Sequence, residues 1–275
     1  MRMRFFLPLF VPLLLTACAG TSQVVSATAT DPVVGIEVPF PARLFTTDQL
    51  RQLYVVTPSN ALLKLDPALN ELFQYTNNRL GDLALIDVSN PFSVLLYYPD
   101  FNEVITLDRT LNERGRLNLL ELGLVQVRAI GLSQDNQVWV YDELNNQLKK
   151  LSTSGEVVLA SDDLSLLLGE NISPNFLTAR NRRVYLNDPE VGVLVFDLFG
   201  QYLKTIDLRG LQDFQLLEDR LLYVQANTLQ SFHLESLLFD TIQLPKTLRL
   251  GERVEVQKGY LYDLAGERVR VVRLE

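Results

Sequence analysis

Apolar and aromatic residues along this chain fall in short, β-branched or aromatic runs separated by clusters of Asp, Asn, Pro and Gly, the pattern of strands joined by tight turns. The clearest unit is an apolar strand, a turn, and a second strand ending in a loose D-x-x-G/N turn. It recurs in QLYVVTPSNALLKLDPALN (52–70), VLLYYPDFNEVITLDRTLN (94–112), QVWVYDELNNQLKKLSTSG (137–155), RVYLNDPEVGVLVFDLFG (183–200), RLLYVQANTLQSFHLES (220–236) and KGYLYDLAGERVRVVRLE (258–275). Tyr54, Leu96, Trp139, Tyr185, Tyr223 and Leu261 mark equivalent positions 38–46 residues apart. That period suits a four-stranded propeller blade.

Two more strands complete each unit. Outer strands are expected in EVVLASD (156–162), QYLKTIDL (201–208) and LFDTIQL (238–244), and inner strands in LALIDVS (83–89), VQVRAIGLS (125–133) and DFQLLE (213–218). The last unit stops after its third strand, so VVGIEVPF (33–40) is expected to supply the fourth and to close the ring, covering an otherwise open edge. The expected fold is an all-β, six-bladed β-propeller over residues 33–275 with that N-terminal strand closing the last blade; five or seven blades are the alternatives. Short helices are expected around Leu117–Leu122 and Asp162–Leu168, the second capped by Ser161 or Asp162 and stopped by Gly169.

The start of the chain has another pattern. Arg2 and Arg4 precede the apolar run Phe5 to Leu15, followed by Leu15-Thr16-Ala17-Cys18. The run is about 11 residues, against the roughly 20 a spanning helix needs. It reads as a bacterial lipoprotein signal over 1–17, with Cys18 the acylated first residue of the mature chain. Residues 18–32 then form a small-residue tether that reaches about 50 Å when extended.

Composition narrows the chemistry. Loss of Arg2 and Arg4 with the signal moves the net charge from −8 to −10, which argues against nucleic acid as a partner and against broad adhesion to anionic lipid. The membrane link is therefore expected through the acyl chains. Cys18 is the sole cysteine, so its acylation leaves no thiol, and His233 is the sole histidine. Most zinc sites and histidine-based catalysis are thereby removed.

The repeat resembles NHL-type and related six-bladed propellers, best in FDLFGQYLKTI (196–206) and KLSTSGEVV (150–158), less well in LDPALNELF (65–73). Asn70 and Asn112 stand in for the glycine in two copies, and the copy around His233 to Glu235 has lost the motif. Through YYPDFN, VWVYDELNNQLKK and YLNDPEVGVLVFD the chain also resembles propeller lipoproteins of Bacteroidetes envelopes. That resemblance, with no acidic run after Cys18, implies an outer-membrane lipoprotein facing the periplasm.

Turns after the second strands carry Pro58-Ser59-Asn60, Pro99-Asp100-Phe101-Asn102, Asp142-Glu143, Asp188-Pro189-Glu190 and Asp263. From these, Tyr98, Asp100, Phe101, Tyr141, Asp142 and Asp188 are the candidate partner-binding residues of a non-catalytic assembly module serving an envelope protein. No catalytic or cofactor-binding residue is expected on that reading. The competing expectation is a calcium-dependent lactonase or esterase, since six-bladed lactonase-type propellers hold such an ion with oxygen ligands; here Asp87, Asn175 and Asp213 are the candidates. A propeller sensing a glycan or peptide is the third. Trp139 is expected in packing and His233 on a packed or half-exposed strand. Arg268, Arg270 and Arg273 are expected on a solvated strand face. Asp240-Thr241-Ile242 resembles a short O-glycosylation motif of Bacteroidetes periplasmic proteins.

Overall fold

The computed structural model describes residues 36–274 apart from 39–40, 91 and 245–247. Cys18, the signal and the tether lie outside the described residues. Six four-stranded antiparallel sheets form a six-bladed β-propeller. A two-residue strand β1 (Ile36–Glu37) comes first in the chain. Blade 1 is β2 (Leu44–Thr47), β3 (Leu53–Val56), β4 (Ala61–Leu65) and β5 (Glu71–Thr76). Blade 2 is β6 (Leu85–Asn90), β7 (Ser93–Tyr98), β8 (Glu103–Asp108) and β9 (Glu113–Asn118). Blade 3 is β10 (Ile130–Leu132), β11 (Val138–Asp142), β12 (Gln147–Leu151) and β13 (Val157–Ala160), followed by the helix α1 (Leu164–Leu168). Blade 4 is β14 (Phe176–Arg180), β15 (Arg183–Asp188), β16 (Gly192–Phe196) and β17 (Tyr202–Ile206). Blade 5 is β18 (Gln215–Leu217), β19 (Arg220–Gln225), β20 (Thr228–His233) and β21 (Phe239–Thr241). Blade 6 is β22 (Arg253–Gln257), β23 (Tyr260–Ala265) and β24 (Arg268–Arg273), completed by β1.

The closure is as expected: Ile36 pairs with Val271 and Glu37 with Arg270, and the Val38 N–H donates to the Val269 carbonyl at 2.9 Å. Among the second and third strands β3, β4, β11 and β16 are buried on both faces, which is why they read as near-continuous apolar runs. Alternate residues of one strand serve different seams. Tyr54 and Val56 pack with Val94 and Leu96 of blade 2, whereas Leu53 and Val55 pack with Tyr262 and Val271 of blade 6. Six such seams lie between successive blades, so the core is a ring of interfaces.

The outer turns revise two expectations. In DPALN and DRTLN the left-handed residue is the one before the asparagine, Leu69 (φ 68) and Leu111 (φ 61). Asp66 accepts the N–H groups of Ala68 and Asn70, and Asp108 those of Thr110 and Asn112. Each asparagine amide then donates back to the same carboxylate. A leucine bears the left-handed cost because its side chain packs into a seam; Leu111 is buried. The copy at His233 keeps a related logic with another atom. Its Nδ1 accepts the N–H groups of Glu235 and Ser236 at 3.3 and 3.2 Å, and its Nε2 lies 2.6 Å from Asp219.

The helix expected around Leu117–Leu122 is not formed. Residues 113–118 are β9, paired with β8, and Leu119 to Gly123 make turns closed by the Leu124 N–H on the Leu119 carbonyl. Gly115 fits that strand because a Cβ there would stand 2.9 Å from Thr106 Oγ1. The second helix exists as α1, but its N-cap is Asp163, whose Oδ1 accepts from the N–H groups of Ser165 and Leu166. Gly169 stops it in the left-handed conformation (φ 77). Asp263 lies inside β23, fully buried, and not in a turn; it accepts from Gly251 N–H at 2.5 Å and from Arg270.

Candidate functional site

Antiparallel order gives the disc two different faces. Turns between second and third strands share one face with the blade-to-blade crossings, here the crossing face. The turns between first and second strands open on the other, the hairpin face.

The candidate partner-binding residues do reach the crossing face, but most turn inward. Tyr98, Tyr141, Asp142 and Asp188 are buried, so these four present no surface to a partner. Their work is internal. Asp142 accepts from the backbone N–H groups of Leu144 and Asn145 and pairs with Lys149 at 2.5 Å. Asp188 accepts from the N–H groups of Ser173, Glu190 and Val191. Tyr141 donates to Asn146 at 3.2 Å, and burial pushes its hydroxyl pKa up. Asp100 and Phe101 remain exposed, on a single 3-10 turn that ends at left-handed Asn102.

Tyr98 differs from the rest because its hydroxyl is buried without a hydrogen-bond partner. Tyr98→Phe is therefore expected to leave stability unchanged or to raise it by up to about 1 kcal/mol, since it removes an unsatisfied polar atom and keeps the ring. Thermal unfolding checks this; a loss above about 1 kcal/mol would mean that the hydroxyl is satisfied in solution.

Phe101, together with side chains outside the candidate set, supplies exposed apolar surface on the crossing face. Phe101 (50 % exposed), Leu120 (47 %), Val125 (56 %), Leu144 (75 %) and Leu166 (82 %) follow one another over blades 2 to 4. Hydrogen bonds fix this arc. Asn102 donates its side-chain amide to the Val125 carbonyl at 3.2 Å, and its own carbonyl accepts from Leu119 N–H at 2.8 Å. Arg128 pairs with Glu143 at 3.2 Å, beside Leu144. The Leu164 N–H, at the start of α1, donates to the Asn146 carbonyl at 2.8 Å. The sequence signal for this surface was leucine or valine inside loops, as in DELNN and the 119–125 crossing.

The central channel is a polar cavity of about 280 Å³. It runs from Gln212 and Asp213 at the crossing face to Asp48, Gln49 and Arg180 at the hairpin face. Blade 3 contributes none of its lining residues. Its inner strand carries Gly131 where a Cβ would lie 2.9 Å from the Leu177 carbonyl oxygen and 3.3 Å from Asp87 Oδ2, so blades 2 and 4 close over it.

Asp87, Asn175 and Asp213 all line this cavity, yet each already has protein partners. Asp87 accepts the N–H groups of Ser89 (2.8 Å) and Leu132 (2.7 Å), and burial raises its pKa despite them. Asn175 donates to the Gln212 carbonyl, and its oxygen accepts from Asn187. Asp213 pairs with Arg253 at 3.4 Å. As arranged, the three make no cation cage, and among the described residues no group of three or more His, Cys, Asp or Glu is placed to hold a metal.

Glu255, which no motif in the sequence marks, is buried at the joint between blades 6 and 1. Its Oε2 accepts from Thr47 N–H (2.7 Å) and Thr47 Oγ1 (2.8 Å), and its Oε1 from Arg253 (3.1 Å). Trp139 is fully buried, with Lys150 over its ring at 5.4 Å, in keeping with its expected packing role.

No protein-family profile matches the sequence, and no curated protein matches it. Solved structures match in fold. A catalytically inactive virginiamycin B lyase from Staphylococcus aureus is similar at a TM-score of 0.61 and 10 % identity, over 89 % of this chain and 99 % of that one. The Neurospora crassa Pan2 WD40 domain is similar at 0.59 and 12 %, over 86 % and 92 %. A Bacteroides caccae protein of unknown function is similar at 0.52 and 13 %, over 77 % and 82 %. At these identities the likeness is one of architecture, shared by a lyase and a WD40 domain alike.

Proposed function

We propose that this chain is a non-catalytic, protein-binding assembly module of the bacterial cell envelope, anchored in the outer membrane through acylated Cys18 and facing the periplasm. The observation that carries the binding reading is the exposed apolar arc Phe101–Leu120–Val125–Leu144–Leu166. Five large apolar side chains held on one rigid face are the kind of surface that a partner covers. The lipoprotein signal ending in Leu15-Thr16-Ala17-Cys18 supports the anchor, and the tether would hold the disc near the membrane without orienting it. Among the described residues no helix is long and apolar enough to cross a membrane.

The test is crosslinking and affinity recovery of the lipidated protein from its native envelope, comparing wild type with a Leu144→Asp, Leu166→Asp double variant. Both residues are more than 70 % exposed, so folding should be unaffected. Recovery of a stoichiometric partner is expected to fall roughly tenfold or more in the variant. Equal recovery would remove the arc from the interface. In the same cells Cys18→Ser should lose labelling by a fatty acid; retained labelling would refute the anchor.

A further inference from the structure

We propose that the central channel binds a small hydroxylated carboxylate of the sugar-acid class, entering from the hairpin face, with its carboxylate on Arg180. This site is separate from the apolar arc and does not depend on the protein-binding reading.

The carboxylates of the channel wall are engaged by protein donors. Glu255 is held by Thr47 and Arg253, Asp213 by Arg253, and Asp87 by two backbone N–H groups. Asp48 accepts the N–H groups of Leu50 and Gln52 and the Tyr54 hydroxyl. Arg180 is different. One of its five donors reaches the Leu216 carbonyl at 2.9 Å, and among the described residues it forms no ion pair. Burial lowers its pKa, opposed by the more distant charge of exposed Glu218. A partly desolvated guanidinium with free donors on a cavity wall is a seat for a carboxylate, which it can grip with two parallel hydrogen bonds.

Arg180 has two further arginines beside it. It begins the hairpin Arg180-Asn181-Arg182-Arg183, a tight turn whose central residues are both left-handed (φ 52 and 61). The register sets Arg180 directly opposite Arg183, with Arg182 at the exposed tip, and none of the three is ion-paired among the described residues. In a chain of pI about 4.9 these three arginines stand at the same channel mouth as the carboxylates of Asp48 and Glu218.

The rest of the wall sets the class. Thr178, two residues before Arg180 on β14, joins Ser89, Gln49 and Gln257 in offering hydroxyl and amide groups at the same end. Such a wall suits hydroxyl groups and disfavours an apolar acid. A volume of about 280 Å³ lies just below the usual range for drug-sized ligands, which fits a metabolite of about monosaccharide size.

Calorimetry and thermal shift on the full chain test this with D-glucuronate, D-galacturonate and D-gluconate. D-glucose, inorganic phosphate and sodium chloride at matched ionic strength serve as controls. At least one sugar acid should raise the melting temperature by roughly 5 °C at a hundredfold excess over its dissociation constant, while glucose and chloride leave it unmoved. Arg180→Gln should abolish the shift. Arg180→Lys, which keeps the charge and the fold but loses the fork, should weaken binding about tenfold and covers the case in which Arg180→Gln does not fold. No binding by any of the three acids, equal binding in the arginine variants, or preferential binding of phosphate would each overturn the proposal.

Discussion

Glu255→Ala is expected to cost about 3–5 kcal/mol of stability, the range for removing one partner of a buried ion pair. The carboxylate sits where the last inner strand meets the first. It joins β22 to β2 through the N–H and hydroxyl of Thr47, and it satisfies Arg253 on its own strand. Burial pulls the Arg253 pKa down, but Glu255 and Asp213 outweigh it and hold the guanidinium charged. Without Glu255 that charge keeps only Asp213, at 3.4 Å, and the Thr47 N–H loses its acceptor. Glu255→Gln retains one acceptor oxygen and should lose less, about 1–3 kcal/mol. The exposed pair Glu37–Arg268, 3.5 Å apart, is the contrast: Glu37→Ala should change stability by no more than about 1 kcal/mol. Urea unfolding of the three variants decides the matter. A loss below about 1 kcal/mol for Glu255→Ala would show that the joint is held by its apolar seam alone.

The blade count and the closure were legible because the second and third strands of a propeller are covered on both faces. That burial writes long apolar runs such as LYVV, VWVYD and GVLVF into the sequence at a regular interval. Outer strands have only one covered face and leave a weaker trace. ERGRLN carries one buried side chain, Leu117, and its mixed charges resemble a solvated helix as readily as β9. The asparagines of DPALN and DRTLN misled for a related reason. Local conformational preference favours Asn over Leu in the left-handed region, but burial of Leu111 in the seam between blades 1 and 2 outweighs it.

At the candidate site, residue type could be read but side-chain direction could not. Aspartates in turns suggest a mouth surface, but Asp142 and Asp188 cap backbone N–H groups. Tyr98 and Tyr141 belong to runs in which both alternating faces are covered, so no parity argument could place them outside. Asp87, Asn175 and Asp213 line one channel, as the inner-strand pattern of the sequence implies. What they do there depends on partners from other blades, such as Leu132 N–H and Arg253, which sequence spacing does not reveal. The arginine hairpin at 180–183 shows in the sequence only as three arginines in four residues of an acidic chain. Its meaning appeared only when the turn placed one of them on the cavity wall.

Val38→Asp should be the most damaging single change near the start of the propeller, at about 4 kcal/mol or more. Val38 is fully buried in the seam between blades 6 and 1, beside Phe45, Val55, Tyr262 and Val269. Losing its apolar burial costs roughly 1.5–3 kcal/mol, and an unpaired carboxylate in that seam costs several more unless it takes up a proton. The backbone at this point also carries the closure, through the Val38 N–H on the Val269 carbonyl and the Ala42 N–H on the Glu267 carbonyl. Two residues away, Ile36 on the same closing strand is 64 % exposed, so Ile36→Asp should cost less than about 1 kcal/mol. At this chain length 4 kcal/mol corresponds to a fall in melting temperature of roughly 8–16 °C. The pair of variants separates two ways in which a propeller can be closed. If both substitutions are mild, the ring is held by the sheet seams and the N-terminal segment is an ornament on its edge. A large loss confined to Val38→Asp makes the segment a wedge, whose buried side chain, more than its two strand pairs, joins the first blade to the last.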